Sequence, residues 1–160
     1  MATPDSYVEV ISTTSATTTA RTFAGDSLSL APSKSASLTL TFGTGSGQVN
    51  DGGQTTLAPA ASNSATISFA SAAAGIFDES IAFTSVKSLL VHNASTTASC
   101  AIKGTLINAF FGTSAVAIPL KPGCFVSICN IAGATAGTLI AQNLHSANAG
   151  SVVVKYSGVE

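Results

Sequence analysis

The sequence predicts an all-β protein, an antiparallel β-sandwich of a jelly-roll-like type with about eight to ten short strands. Polar and apolar residues alternate in many short runs, as they do in strands that bury one face. Gly, Asn, Ser or Pro interrupts these runs at the spacing of about 8–12 residues that is typical of sandwiches and barrels. The chain has no Trp, which an immunoglobulin-type sandwich normally buries. We therefore favour a jelly roll, although periodicity alone leaves the sandwich topology open.

Two early strands are predicted from strict alternation. Residues 27–30 and 37–42 each follow a two-residue period that places their leucines on one face of an extended chain. Residues 7–11 are predicted to form a further strand. Residues 31–35 lie between them and combine a proline with small polar residues. This composition predicts a hairpin connection with Lys34 at its tip.

A succession of short β-type runs follows. Residues 65–69 resume the two-residue period, and residues 70–74 are predicted to form a single helical turn that Gly75 ends. No longer helix is predicted. The remaining predicted strands are residues 81–83, 86–92, 98–103, 106–111, 115–120, 125–129, 138–144 and 152–156.

One domain is expected from a chain of 160 residues. We assign residues 27–160 to a single β-sandwich domain and residues 1–26 to an N-terminal arm that is partly irregular. Residues 12–20 consist of Ser, Thr and Ala and lack a strong apolar pattern. We expect such an arm to become ordered on a partner.

The chain carries few charges. Charged residues make up 8% of it, against about 25% in a typical soluble domain, and 27 Ala, 23 Ser and 20 Thr take their place. Because little like-charge repulsion keeps copies apart, we expect association. The six Lys and Arg residues are dispersed, whereas a phosphate-binding surface gathers roughly 6–10 cations on one face. Neither direct nucleic-acid binding nor attachment to an anionic membrane is expected.

Residues 104–120 form an uncharged stretch that has to be weighed as a membrane span. The stretch is shorter than the span of about 20 apolar residues that a helix needs, and it contains Asn108, Gly112 and Pro119. It is predicted to form two strands and a turn. The N-terminus shows no basic segment followed by an apolar one. We expect the chain to be synthesised in a cytoplasm, and either to remain there or to leave it as part of a larger assembly.

Residues 43–53 contain five glycines and are predicted to form a long exposed loop. Their Gly-x-Gly-x-Gly segment resembles a phosphate-binding loop, but such a loop needs a helix directly behind the glycines. Residues 49–53 read as another turn instead. No nucleotide or other cofactor is therefore expected.

Few side chains could hold a metal ion. His92 and His145 are the only imidazoles, and Cys124 and Cys129 lack the two-residue spacing of a zinc knuckle. We predict no metal site and expect the histidines to make surface hydrogen bonds. Because an odd number of cysteines argues against a disulfide framework, these two and Cys100 are expected to pack as small hydrophobic residues.

No catalytic group is predicted, and the chain is not expected to be an enzyme. Asp78 and Glu79 are adjacent in sequence, whereas an acid–base pair needs two carboxyl groups on facing elements. They are expected in a solvated turn or in an inter-subunit contact with a lysine. The Gly-x-Ser-x-Gly pattern of a nucleophile elbow is absent.

Two short motifs receive structural interpretations. Residues 93–95 match the glycosylation pattern Asn-x-Ser, but without a signal peptide we interpret them as a chance match to a turn. Pro119 and Pro122 cannot donate to a strand ladder, so residues 118–123 are predicted to be an edge strand or a tight exit. Lys121 would then block unwanted edge pairing.

Three segments of the second half carry a resemblance. They read Phe-Thr-Ser-Val-Lys-Ser-Leu-Leu-Val-His-Asn-Ala-Ser (83–95), Ile-Pro-Leu-Lys-Pro-Gly-Cys-Phe-Val (118–126) and Gly-Ser-Val-Val-Val-Lys-Tyr-Ser-Gly-Val-Glu (150–160). In this order they resemble small β-rich structural proteins of tailed-phage and other virus particles. Such proteins decorate a capsid, cement its lattice, or form fibres and vertex parts. The resemblance implies no catalytic or ligand-binding residue.

The resemblance and the composition together predict a virion structural protein, a capsid-associated decoration, cementing or minor capsid subunit. Its expected partners are its own copies, in a homo-oligomer taken to be a trimer, and other capsid or tail proteins. The alternative is a receptor- or glycan-binding β-sandwich module of a phage fibre or tail, with residues 43–53 and 133–137 as the binding rim. Sugar sites usually present aromatic rings, and Tyr7 and Tyr156 are the only tyrosines.

Overall fold

The structure, a computed structural model, describes the backbone of residues 8–16, 19–23, 26–30, 33–71, 73–74 and 80–160, and the side chains of residues 43–71, 73 and 80–160. Tyr7, Asp78 and Glu79, on which predictions were made, lie outside the described residues. In chain order the elements are β1 (Val8–Ala16), β2 (Thr19–Phe23), β3 (Asp26–Leu30), β4 (Ser33–Phe42), β5 (Gln48–Val49), β6 (Asp51–Leu57), β7 (Ser64–Ser68), β8 (Ala73–Ala74), β9 (Ser80–Ile81), β10 (Ser85–Asn93), β11 (Cys100–Lys103), α1 (Thr105–Phe111), β12 (Ala117–Leu120), β13 (Phe125–Thr135), β14 (Thr138–Asn143) and β15 (Val152–Val159).

Two four-stranded antiparallel sheets form the body of the protein. The first sheet has the strand order β13-β10-β15-β6, and the second has the order β12-β11-β14-β7. One hydrophobic core contains residues of both sheets, among them Val91 and Val154 of the first and Ile102 and Leu139 of the second. The prediction of an all-β antiparallel sandwich is therefore confirmed.

The eight strands of the sandwich pair in a nested order. The first of them, β6, pairs with the last, β15, and the second, β7, pairs with β14. Inside these pairs, β10 pairs with β13 and β11 pairs with β12. Successive pairs alternate between the two sheets, and the pairings β10–β15 and β11–β14 complete them. Each sheet thus contains strands from both ends of this part of the chain.

Alternation along the strands sorts side chains between the core and the outside. In β10, Leu89 and Val91 are buried, whereas Leu90 and His92 are half-buried on the other face of the sheet. In β15, the same alternation buries Val152 and Val154. Burying one such aliphatic side chain contributes about 1.5–3 kcal/mol. Burial therefore alternates along these strands, although their sequences place apolar residues on both faces.

The strands before the sandwich form two antiparallel pairs. β1 pairs with β4, and β2 pairs with β3. β4 also pairs in parallel with β5, which leads into the sandwich. The hairpin predicted at residues 31–35 is wrong, since Lys34 lies within β4 opposite Ser15. Alternation identifies strands but does not choose their partners, and Thr-rich runs such as residues 12–19 are good strand formers. That residues 1–26 become ordered on a partner stays a prediction.

The glycine-rich segment is a loop only in its first half. The predicted exposed loop covers residues 43–53, but β6 begins at Asp51 and Val49 is fully buried. Gly52 lies opposite Ser157, and an added Cβ on Gly52 would come within 2.9 Å of the Tyr156 carbonyl oxygen. Glycine is therefore required here by a close approach of two strands, which composition alone does not distinguish from a flexible loop.

The strand predicted at residues 106–111 is also wrong, because these residues form α1. Gly104 precedes the helix with φ near 125°, and an added Cβ there would overlap the Thr138 carbonyl oxygen. The helix buries Leu106 and Ile107, which are consecutive and so cannot both face one side of a strand. No helix within the described ranges has the length and apolar character that a membrane crossing requires.

The other predicted strands are confirmed with shifted ends. Residues 86–92, 138–144 and 152–156 correspond to β10, β14 and β15, and the predicted strand at 125–129 continues to Thr135 in β13. The helical turn predicted at residues 70–74 is wrong in its second half, where β8 pairs with β9. The predicted edge at residues 118–123 is confirmed, since β12 is an edge strand of the second sheet.

Candidate functional site

The side chains that could ligate a metal lie on separate parts of the sandwich. His92 belongs to β10, and His145 follows β14, where its Nδ1 accepts hydrogen bonds from the main-chain N–H groups of Ala147 and Asn148, both at 3.1 Å. Cys100 belongs to β11 in the other sheet from His92. Across the residues that the structure describes, no three His, Cys, Asp or Glu side chains are grouped so that they could hold a metal ion.

The three cysteines differ in their surroundings, and none forms a disulfide. Cys100 is buried in the core, and its desolvation raises the pKa of the thiol to about 11. Cys124 and Cys129 are exposed. The prediction that all three pack as hydrophobic residues is confirmed for Cys100 and wrong for the other two. The reason is that Cys124 directly precedes the edge strand β13 and Cys129 lies within it. Among the described residues, no other strand covers the outward-facing side chains of β13.

This difference predicts selective thiol labelling. At about pH 8 the native protein is expected to react rapidly at two thiols per chain, Cys124 and Cys129, because Cys100 is buried and its raised pKa leaves about one part in a thousand as thiolate. Labelling with a maleimide, followed by mass spectrometry, measures this. The Cys124→Ser variant should lower the rapid count to one, and rapid reaction of Cys100 in the folded protein would contradict the prediction.

The Asn93 amide of the glycosylation pattern is engaged inside the fold. Asn93 is fully buried, and its Nδ2 donates to the carbonyl oxygens of Ala98 at 2.9 Å and Leu120 at 3.1 Å. These bonds tie the loop after β10 to the end of β12. The residue therefore has a structural role, in agreement with the interpretation of the motif as a chance match.

The first sheet presents a surface to the outside that we call the outer face. It comprises the side chains of β13, β10, β15 and β6 that point away from the core. The cross-strand register arranges them in rows, one of which is Phe125, His92, Val153 and Thr56, and the next Ser127, Leu90, Lys155 and Gln54. Lys155 is the only charged residue in these two rows.

A shallow groove lies on the outer face. Its volume is about 350 Å³, and Leu90, His92, Phe125, Val153 and Lys155 line it. The Phe125 side chain is 58% exposed, which is unusual for an aromatic ring. The groove thus combines an open apolar wall with one ammonium group and one imidazole.

The first half of the glycine-rich segment bonds to two strands of the first sheet. The Gly47 N–H donates to the Ile131 carbonyl oxygen of β13 at 3.1 Å, and the Asn50 N–H donates to the Gly158 carbonyl oxygen of β15 at 3.0 Å. This segment therefore contacts both β13 and β15. It also brings the first predicted rim, residues 43–53, beside β13, which contains part of the second.

A buried lysine was missed by the sequence reasoning. Lys87 is 4% exposed and lies at a β-bulge, where the register of β10 shifts against both of its neighbours. Its Nζ donates to the carbonyl oxygens of Ile131 at 3.2 Å and Ala132 at 2.7 Å. The ammonium group therefore holds β13 where the ladder is interrupted. The sequence does show a single Lys inside the mostly apolar run 86–91. A lysine in such a run indicates a buried charge, and a buried charge needs specific partners.

Large apolar side chains are exposed at several points of the sandwich. They are Phe111, Phe125, Ile131 and Leu144, each more than half exposed. Two of them, Phe125 and Ile131, lie on β13, an edge strand. An exposed, uncharged edge strand is a typical site of strand-to-strand association.

Similarity to known proteins gives no assignment. A scan against models of protein families, a search of curated proteins and a search of solved structures found no match. Function is therefore inferred from the fold, the exposed surface and the composition of the chain.

Proposed function

We propose that this chain is a structural subunit of a virus particle, a capsid-associated decoration, cementing or minor capsid protein. The observation that carries the proposal is the uncharged surface along β13. Residues 122–154 contain no Asp, Glu, Lys or Arg, yet Phe125 and Ile131 are 58% and 51% exposed. A solvated apolar edge of this kind is stabilised when a second subunit covers it.

The finer fold assignment supports the same class. We propose that the sandwich is a jelly roll, because eight strands in two sheets with four nested antiparallel pairs are its strand order. Jelly rolls occur in viral capsid domains and in lectin domains. The strand order therefore supports the structural proposal and its alternative equally, and the surface has to distinguish them.

The composition lowers the free-energy cost of assembly. Charged residues make up 8% of the chain, so few ions have to be desolvated when copies pack together. Ser and Ala side chains lose little rotamer freedom when they become ordered. We propose a homo-oligomer, a trimer, that binds other capsid or tail proteins in the virion after assembly in the host cytoplasm. Catalysis, a cofactor, nucleic acid and membranes have no part in the proposal.

Negative-stain electron microscopy of the purified protein, alone and mixed with its parent particle, tests this function. We expect regular assemblies of the protein by itself and added density at repeated positions on the particle. Images that show no assemblies of the protein alone and no added density on the particle would contradict the proposal.

The alternative is a glycan- or receptor-binding module of a phage fibre or tail, and the groove on the outer face favours it. The Phe125 ring is exposed there and could stack on a sugar, whereas Tyr156 is buried against Phe69 and could not. A glycan array tests this alternative, with Phe125→Ala as the control that should abolish any signal. An array without hits would remove it.

A further inference from the structure

We propose that β13 is the edge through which two copies of this chain join, by antiparallel pairing of β13 with β13 of the second copy, centred on Ser127. The pairing would make one continuous eight-stranded sheet from the first sheets of two sandwiches. This β13–β13 contact is one contact within the proposed assembly, so the inference rests on the proposed function.

The hydrogen-bond pattern shows which main-chain groups of β13 point to the free edge. The Asn93 N–H donates to the Cys124 carbonyl oxygen at 2.9 Å. In the same register Val126 and Ile128 lie opposite β10 residues 91 and 89. Because antiparallel ladders alternate between bonded and non-bonded pairs, these even-numbered residues bond to β10. The N–H and C=O groups of Phe125 and Ser127 therefore point away from β10.

A contact at Ile131 marks one limit of this edge. The Gly47 N–H donates to the Ile131 carbonyl oxygen at 3.1 Å, beyond the β-bulge that ends the regular pairing of β13 with β10. At the other end the Cys124 N–H donates to the Lys121 carbonyl oxygen within a turn. Among the residues that the structure describes, the part of the edge between these two contacts is residues 125–129, and this part can accept another strand.

This short edge matches a second copy of itself. Its outward-facing residues are spaced evenly about Ser127, so a two-fold axis at Ser127 places Ser127 opposite itself and Phe125 opposite residue 129 of the second copy. The Ser127 N–H and C=O groups then bond across the axis, and the exposed Phe125 side chain gains a neighbour. An added Cβ on Gly123 would meet nothing within 4 Å, so the end of the edge is sterically open.

The charge pattern favours a second copy over an unrelated partner. Two identical strands place like residues near each other, which is destabilising when those residues are charged. β13 contains no charged residue and no Pro. By contrast β12, an edge of the second sheet, contains Pro119 and is followed by Lys121, the two residue types that commonly block edge pairing. β13 lacks these blocking residues and is free of repulsion against its own copy.

The symmetry of the contact defines its place in the assembly. A two-fold contact uses the same surface on both subunits and joins two copies, so it cannot by itself close a trimer. In the proposed particle the β13 contact would link neighbouring trimers. It is therefore a lattice contact of the kind that a cementing protein needs.

Disulfide trapping tests the pairing. In a background with Cys124→Ser and Cys129→Ser, the Ser127→Cys variant should form a covalent dimer under mild oxidation. The paired Cα atoms would lie about 5.5 Å apart, within the range for a disulfide. Phe125→Cys in the same background is the control, since its two copies would be about 14 Å apart along the strands. Cys100 is buried and stays unreactive.

A second pair of variants tests the contact without a cross-link. Ser127→Lys brings like charges together at the axis and should weaken association at least about tenfold in sedimentation equilibrium. Thr56→Lys is its matched control, because Thr56 is exposed on the outer face of β6, at the other edge of the same sheet. Circular dichroism of both variants checks that they fold.

The outcomes separate the two proposals. Cross-linking at residue 127 but not at residue 125, with weakening by Ser127→Lys only, supports the β13 contact. Unmodified protein that assembles while residue 127 fails to cross-link overturns the β13 contact and leaves the structural function standing. Unmodified protein that is monomeric overturns both.

Discussion

The Phe69→Ala variant is expected to unfold with a free energy lower by about 3–5 kcal/mol. Phe69 is fully buried between the sheets, directly after β7. Its ring centroid lies 4.8 Å from that of Tyr156 in an edge-on arrangement and 6.5 Å from that of Phe83. Truncation leaves a cavity at the point where the second sheet meets β15 of the first, and close-packed neighbours fill such a cavity only in part.

Urea unfolding followed by circular dichroism measures this loss, with Phe125→Ala as the matched control. The control removes the same side chain from a site where it is 58% exposed, so a change within about 1 kcal/mol is expected. Both variants should be compared at one protein concentration, because association adds to apparent stability. Equal losses for the two variants would show that Phe69 is not the buried centre of the core.

The Asn143→Leu variant is expected to lose about 3 kcal/mol, although Leu is the more apolar residue. The Asn143 Nδ2 donates to the carbonyl oxygens of Pro59 at 3.3 Å, Ala60 at 3.2 Å and Asn148 at 2.8 Å, and its Oδ1 accepts from the His145 N–H at 2.9 Å. The side chain is buried, so water cannot replace these bonds. Each buried group left unpaired costs about 1–3 kcal/mol.

The control for this variant is Asn148→Leu. The Asn148 side chain is exposed and donates one hydrogen bond, to the Thr97 hydroxyl oxygen at 3.2 Å. A change within about 0.5 kcal/mol is expected in urea unfolding. Hydrogen exchange adds a local readout, since the His145 N–H should lose protection in Asn143→Leu and keep it in Asn148→Leu. A stable Asn143→Leu protein would contradict the role assigned to this amide.

The sandwich strands could be predicted because burial on one face imposes a two-residue period. In residues 65–69 the sequence alternates around Ile67 and Phe69, and the structure buries both. The turn residues between strands were equally informative. The predicted sandwich therefore agrees with the structure in its strands from residue 64 onward, apart from the segment that forms α1.

Strand partners and glycine roles could not be predicted, because both depend on residues distant in sequence. Lys34 lies opposite Ser15 rather than at a hairpin tip. Glycine is required at position 52 because a Cβ there would lie only 2.9 Å from the Tyr156 carbonyl oxygen. Residues 106–111 are mostly apolar, as a buried strand can be, but they form α1, which begins directly after Gly104 and its close approach to the Thr138 carbonyl oxygen.

The candidate site was even less accessible to sequence reasoning. The scarcity of charge predicted association but no particular surface. The structure identifies a particular surface for association, because β13 lies at a sheet edge with Phe125 exposed and the main chain of Ser127 pointing away from β10. The burial of Lys87 could have been predicted from its apolar neighbours in sequence. Its partners on β13, the carbonyl oxygens of Ile131 and Ala132, could not, because they are more than forty residues away.

Sedimentation velocity at low and high salt tests most directly whether copies of this chain associate through uncharged surfaces. At about 0.1 M NaCl surface charges interact over about 10 Å, and at about 1 M over about 3 Å. We expect assemblies of several copies whose sedimentation coefficients are unchanged or larger at the higher salt concentration. A monomer under both conditions, or an oligomer that dissociates as salt rises, would contradict the account.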